Sequence, residues 1–205
     1  EFAAGNSDIL STSSLSSEYT EENGYKVTSW KSSVLGFMLN TEWEAFGSID
    51  IRKAFSMAVP RELFPAGAEN DTEGAYGIIP PETRIGASLY SSYAGVKPIA
   101  DSTDDEAYDF FQKGMHELGL TSLPSADILV CESTVSEEDL YEIIQKWQAL
   151  FGFYAGIEIV SPSEYRQRLA DKDYVIALCS VSGKRNSAAS ILESFGTEES
   201  VFGYS

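Results

Sequence analysis

Between residues 126 and 180 the sequence changes period four times. A strand-length apolar run, ADILVCES, gives way to SEEDLYEIIQKWQALFG. There Leu140, Ile143, Ile144, Trp147, Leu150 and Phe151 fall on one helical stripe, and Gly152 ends it. Ser136 is placed to cap this helix, with Glu137 and Glu138 at its positive end. GIEIVS then reads as a strand, SEYRQRLAD as a short helix and DYVIALCS as another strand. The order β-α-β-α-β predicts an α/β fold with parallel strands joined by right-handed crossovers. Open sheets of this kind bind ligands beyond the carboxyl ends of their strands. Two stretches fall there. Their candidate ligand residues are Cys131, Glu132, Ser133 and Thr134 after the first strand, and Ser180, Ser182, Gly183, Lys184, Arg185 and Asn186 after the third.

The rest of the chain punctuates less sharply. Ser11–Ser17 is a brief Ser/Thr-rich stretch, a linker or a helix start. Tyr25–Asn40 has strand composition and reads as two strands joined through Lys31–Ser33. SIDIRKAFSMAV reads as a helix capped by Asp50 or Ser48, with Ile51, Phe55 and Ala58 on one face. The segment from Pro65 to Pro98 is a long Gly/Pro-rich loop. Thr103 and Glu106 stand at capping-box spacing before a helix striped by Tyr108, Phe111, Met115 and Leu118, with Gly119 as its stop.

Charge and motif chemistry narrow the function. The formal net charge is −18 and the pI about 4.3, which opposes nucleic-acid phosphates and anionic lipid surfaces. Lys184 and Arg185 stand out against it, as ligand contacts or as a solvated turn. They do not form a P-loop: G-x-x-x-x-G-K-[ST] would need Gly at Leu178 and Ser or Thr at Arg185. The only histidine, His116, reads as an exposed helical residue with neither a nucleophile motif nor metal-ligand spacing around it. Acidic pairs such as Asp104-Asp105 sit where caps and solvated faces occur. No catalytic set, metal site or cofactor site emerges. Cys131 and Cys179 each end an apolar run and read as two free, mostly buried thiols; a single bridge stays open, because the two runs can be neighbours.

The order of segments resembles the extracellular solute-binding proteins of family 5, the dipeptide, oligopeptide and nickel receptors of ABC importers. FAAGNSDIL is similar to that family's "aGeiDi" segment. The stretch from Val34 to Phe64 is similar to its apolar strand ending in Asn, followed by "vRqAlayAidRe"; the matching residues are Asn40, Ile51, Arg52, Lys53, Ala54, Ala58, Arg61 and Glu62. GIIPPET resembles the Pro-Pro element that follows. The helix at 104–118 resembles "dpekAkelLkeAG", and 126–180 the strand–helix–"lGi"–strand–helix–"yDl" unit. SILESFGTEESVFGYS resembles the stretch ending in "gYsn".

The resemblance implies one lobe of a type II periplasmic-binding-protein-like fold with a mixed sheet. Residues 1–205 would be a single domain, the second lobe of a two-lobed receptor, with the first lobe, leader and lipid anchor before residue 1 and the final helices after Ser205. Such a receptor works on the extracellular face of the membrane or in the periplasm, passes a peptide-like or other small solute to an ABC permease, and is not an enzyme. The alternative use of the fold is the ligand-sensing domain of a transcriptional regulator. The chain also departs from the family. Peptide-binding relatives carry a Trp and, three residues later, an Asp that pairs with the peptide amine; Ser180 and Gly183 occupy those positions. The Arg that some dipeptide receptors place after the first strand has no counterpart in Cys131–Thr134, and Pro60 stands where the family usually has Asp.

Overall fold

The structure is a computed structural model that describes residues 2–10, 16, 19–28, 31, 33–61, 74–93, 102–132, 137–183, 185 and 187–196. The chain gathers into two units, Glu1–Lys31 and Ser32–Ser205. In the first, a single 3-10 turn at Glu21–Asn23 closes on Gly24 at φ 85°. The rings of Phe2, Tyr19 and Tyr25 pack on one another, with centroids 5.3–5.7 Å apart.

The second unit carries, in chain order, β1 (Ser33–Leu39), α1 (Glu44–Gly47), α2 (Ile49–Met57), β2 (Arg84–Ile85), β3 (Ser88–Leu89), α3 (Asp104–Leu118), β4 (Ala126–Cys131), α4 (Glu137–Phe151), β5 (Ala155–Val160), α5 (Pro162–Ala170), β6 (Ile176–Ser182) and α6 (Ala188–Leu192). The main sheet runs β1-β6-β4-β5. β4 pairs in parallel with both β5 and β6, as the β-α-β-α-β pattern requires, and β1 joins β6 antiparallel. The sheet is therefore mixed. β2 and β3 form a small separate hairpin turning at Gly86, whose φ is 60°.

Alternation along the strands builds a core on each face. On one face, Ile128 and Val130 of β4 and Ile176 and Leu178 of β6 meet α2, α3 and α4 through Ile51, Phe55, Phe111, Ile143 and Trp147. On the other, Leu129, Ala177 and Cys179 meet Val160 and Leu169, with Tyr165 of α5 packed against them. The α4 stripe is buried as its spacing predicts: Leu140, Ile143, Ile144, Trp147 and Phe151 all face the core, and Gly152 closes the helix at φ 64°. Ser136 lies outside the described residues.

Two local expectations are corrected and one is narrowed. Tyr25–Thr28 forms no strand, and β1 begins at Ser33. The Tyr25 ring packs on Phe2 and Tyr19, while β1 finds its partner in β6. Of the two cap candidates, Ser48 caps α2, its Oγ accepting from Ile51 N–H at 3.4 Å. Asp50 is instead buried, with a carboxylate oxygen 2.7 Å from Lys113 Nζ. Tyr108 leaves the α3 stripe and is 45% exposed. The packed face of α3 is Ala107, Phe111, Gly114 and Met115, because α2 comes so close that a Cβ on Gly114 would stand 2.6 Å from Ile51 Cγ1. The predicted capping box is present, with Thr103 and Glu106 satisfying each other's backbone N–H.

Asn40 locks the β1 exit to the β6 entry. Its amide donates to the carbonyls of Lys172 and Tyr174 at 3.2 and 2.8 Å, and its side-chain oxygen accepts from Glu42 N–H at 3.0 Å. Lys172 is a non-glycine residue at φ 54°, a conformation that needs such support. Asn40→Ala removes all three bonds, and the expected loss in urea unfolding is about 2–3 kcal/mol. Glu42→Gln, at an exposed ion pair with Lys172, is expected to cost under about 1 kcal/mol.

Candidate functional site

The carboxyl ends of β4, β5 and β6 are Cys131, Val160 and Ser182. β4 and β5 stay paired to their ends, and Glu132 N–H still donates to Val160 O at 3.1 Å. The β4–β6 seam behaves differently. Among the described residues its pairing stops at Leu129↔Ala177, while β6 continues along β1 to Ser182. Among the described residues β4 and β6 are therefore unpaired at the edge where ligands sit in folds of this type.

A side chain takes up the carbonyl left where the pairing ends. Asn40 N–H bonds Val175 O, so alternation along the antiparallel pair turns the Leu178 carbonyl away from β1 and toward β4. In a ladder that ran on, that carbonyl would take an N–H from β4. Instead the Tyr165 hydroxyl donates to it at 2.7 Å, and the same oxygen lies 3.1 Å from Cys179 Sγ. Burial, then contact with Cys179, raises the Tyr165 pKa, so the hydroxyl keeps its proton. Burial pushes the Cys179 thiol up to about 11, with the Tyr165 hydrogen bond pulling the other way. Both cysteines are buried, and neither is in a disulfide.

Each candidate residue can now be placed. Cys131 is buried on the Tyr165 side of the sheet, not presented to a ligand: it follows Leu129 in the alternation, and that face is covered by α5. Glu132 is exposed at the end of β4. Ser180 and Ser182 are exposed and belong to β6 itself, on the face of Ile176 and Leu178. Gly183 and Arg185 lie in the following turn, with Arg185 exposed. Ser133, Thr134, Lys184 and Asn186 lie outside the described residues. One neighbour was not foreseen. Leu35 of β1 pairs with Ser180, shares its face and is 39% exposed. VLGFMLN is apolar at both parities, so its period gives no hint of which residue meets solvent.

The turn after β6 folds back on itself. Arg185 N–H donates to Ser190 Oγ at 3.2 Å, and Ser187 N–H to Arg185 O at 2.8 Å. Ser187 in turn caps α6 through Ser190 N–H. Gly183 sits at the closest point: a Cβ there would stand 2.8 Å from Arg185 O and 2.9 Å from Ile191 Cγ1. A concavity of about 230 Å³ lies elsewhere, between the end of α2 and the start of α3, lined by Arg61, Tyr76, Ser102, Asp104 and Lys146 among others. It contains none of the candidate residues.

Residues 1–202 match the family model described as bacterial extracellular solute-binding proteins, family 5 Middle. The chain belongs to this family. Solved structures share the fold. A peptide-binding protein of a peptide ABC transporter superposes with a TM-score of 0.72 at 20% identity, over 84% of this chain and 77% of that one. The Listeria monocytogenes OppA bound to peptide gives 0.71 at 20% identity, over 92% and 38%. An oligopeptide ABC transporter substrate-binding domain from Bacillus anthracis gives 0.72 at 14% identity, over 84% and 34%. The chain thus spans about a third of the length of the last two proteins. No curated protein matches the sequence. The regulator alternative finds no support among these matches. Family 5 proteins are extracellular solute-binding proteins, and among the described residues no helix is long and apolar enough to cross a membrane.

Within family 5 the close approach at Gly183 acquires a meaning. The position at which peptide-binding relatives are expected to carry an Asp has, in this chain, no room for a side chain unless the Arg185 backbone moves. The Gly and the tight turn go together.

Proposed function

We propose that this chain is the second lobe of a two-lobed extracellular receptor, and that the open β4–β6 edge faces a solute held between the lobes. Ser180, Ser182, Glu132 and Leu35 form the surface offered to the solute, together with Gly183 and Arg185 of the turn that follows. The reading is supported by one observation: the β4–β6 pairing ends before the strands do, at the carboxyl edge of the sheet, where hydroxyls, a carboxylate and a leucine are exposed. The receptor binds and releases its solute without chemistry, and closure of the lobes presents the loaded form to an ABC permease. An anchor outside this chain would hold the receptor at the membrane.

The solute is not gripped by a peptide-amine clamp at residues 180–186. A charge-assisted bond to an ammonium needs a carboxylate, and Gly183 is packed too closely to be replaced by one. Glu132 is the carboxylate that remains at this edge, so a polyhydroxyl solute hydrogen-bonding the serines, or a peptide-like solute whose amine is not held by residues 180–186, suits it. Calorimetry on the full-length receptor with free and N-acetylated oligopeptides tests this. Equal affinities, or no peptide binding, are expected. At least tenfold tighter binding of the free amines, lost on changing residues 180–186, would overturn the proposal.

A further inference from the structure

Cys131 and Cys179 lie on neighbouring parallel strands. Counting on from Leu129↔Ala177 puts the two level with each other, and alternation puts both on the α5 face of the sheet. Where β4 and β6 are paired, two residues back, strands run about 4.8 Å apart, inside the Cα separation that a disulfide spans, so the bond requires the strands to stay near that spacing at Cys131 and Cys179. Among the described residues the β4–β6 pairing ends two residues earlier, at Leu129↔Ala177. The Tyr165 hydroxyl stands 3.1 Å from one sulfur and bridges to the Leu178 carbonyl in the gap. Its electrostatic surroundings include both thiols.

We propose that Cys131 and Cys179 are a redox site: an intramolecular disulfide between them staples β4 to β6 just behind the edge that carries Ser180 and Glu132. The proposal does not depend on which solute is bound. The family is extracellular, and proteins outside the cytosol meet disulfide oxidants. The oxidant here is a low-molecular-weight disulfide, RS–SR. The Cys131 thiolate, at the strand end, attacks one sulfur and expels RS⁻. The Cys179 thiolate then attacks the Cys131 sulfur of the mixed disulfide and expels the second RS⁻. The two protons pass to the leaving thiolates, so two RSH appear for each bond formed. In the folded protein both thiols are buried and Cys179 holds its proton. The exchange is therefore fast as the chain folds and slow afterwards.

The test is to unfold the protein under reducing conditions, refold it in mixed reduced and oxidised glutathione, and alkylate the denatured product. The expected result is loss of both alkylatable thiols, a mass lower by two hydrogens, a linked peptide pair containing residues 131 and 179, and a raised melting temperature. Cys131→Ser and Cys179→Ser should each leave one thiol or one glutathione adduct. Two free thiols in the refolded wild type, glutathione adducts in place of the bond, or a disulfide between two chains would overturn the proposal. Circular dichroism of the refolded product, matched to protein never unfolded, ensures that the result reports the native sheet.

Discussion

Replacing Phe55 with alanine is expected to cost about 3–5 kcal/mol of folding stability. Phe55 is 1% exposed and sits where α2 meets every other part of the main core. Its ring lies 5.1 Å from each of Phe46, Trp147 and Phe151, 5.2 Å from Phe153 and 6.5 Å from Phe111. Its carbonyl accepts from Trp147 Nε1 at 3.1 Å, so the backbone there also anchors α4. Truncation leaves a cavity ringed by five aromatic side chains that cannot all collapse inward. Denaturant unfolding should give a lower midpoint with an unchanged slope. Tyr108→Ala, on the exposed side of α3, serves as the contrast and should change stability by less than about 0.5 kcal/mol. Similar effects at the two positions would mean that the core is not packed around Phe55.

The second large effect concerns binding. Pockets for small solutes bury most of the ligand surface. On the proposed two-lobed organisation, this chain supplies one wall of such a pocket. A full-length receptor that binds near 1 µM has about 8 kcal/mol of binding free energy. Losing half of the contacts moves the remaining affinity to the order of 1 mM. Calorimetry on the 205-residue chain and on the full-length receptor, with the solute that co-purifies with the latter, should therefore differ by at least a hundredfold. Equal affinities would place the whole site within this chain and remove the need for a second lobe.

Much of the fold is legible because it is local. The α4 stripe, the Thr103–Glu106 box and the strand-length apolar runs each declare themselves within about fifteen residues, and the parallel order of β4, β5 and β6 follows from their alternation with helices. What escaped depends on partners distant in sequence. β1 is pinned by β6 and by Asn40 bonding to Lys172 and Tyr174. Asp50 looked like a cap and is a buried ion-pair partner because Lys113 of α3 lies over it. Tyr108 has helical spacing, but the close α2–α3 approach at Gly114 rotates it out of the interface.

The candidate site divides in the same way. That Cys131 and Ser180 lie at the carboxyl ends of parallel strands was readable from the strand order. Which of them meets solvent was not: Cys131 turns toward α5, while Ser180 turns to the open face beside Leu35. The role of Tyr165 could not be read at all. It depends on one carbonyl, Leu178, being left without its ladder partner.

On the proposed function, solute sits at the β4–β6 edge. A crystal structure of the full-length receptor with its co-purified solute tests it most directly. The account predicts solute atoms within hydrogen-bond distance of Glu132, Ser180 or Ser182, with Leu35 in van der Waals contact. Solute held instead in the concavity between Arg61 and Lys146, with Ser180 and Ser182 open to solvent, would contradict it.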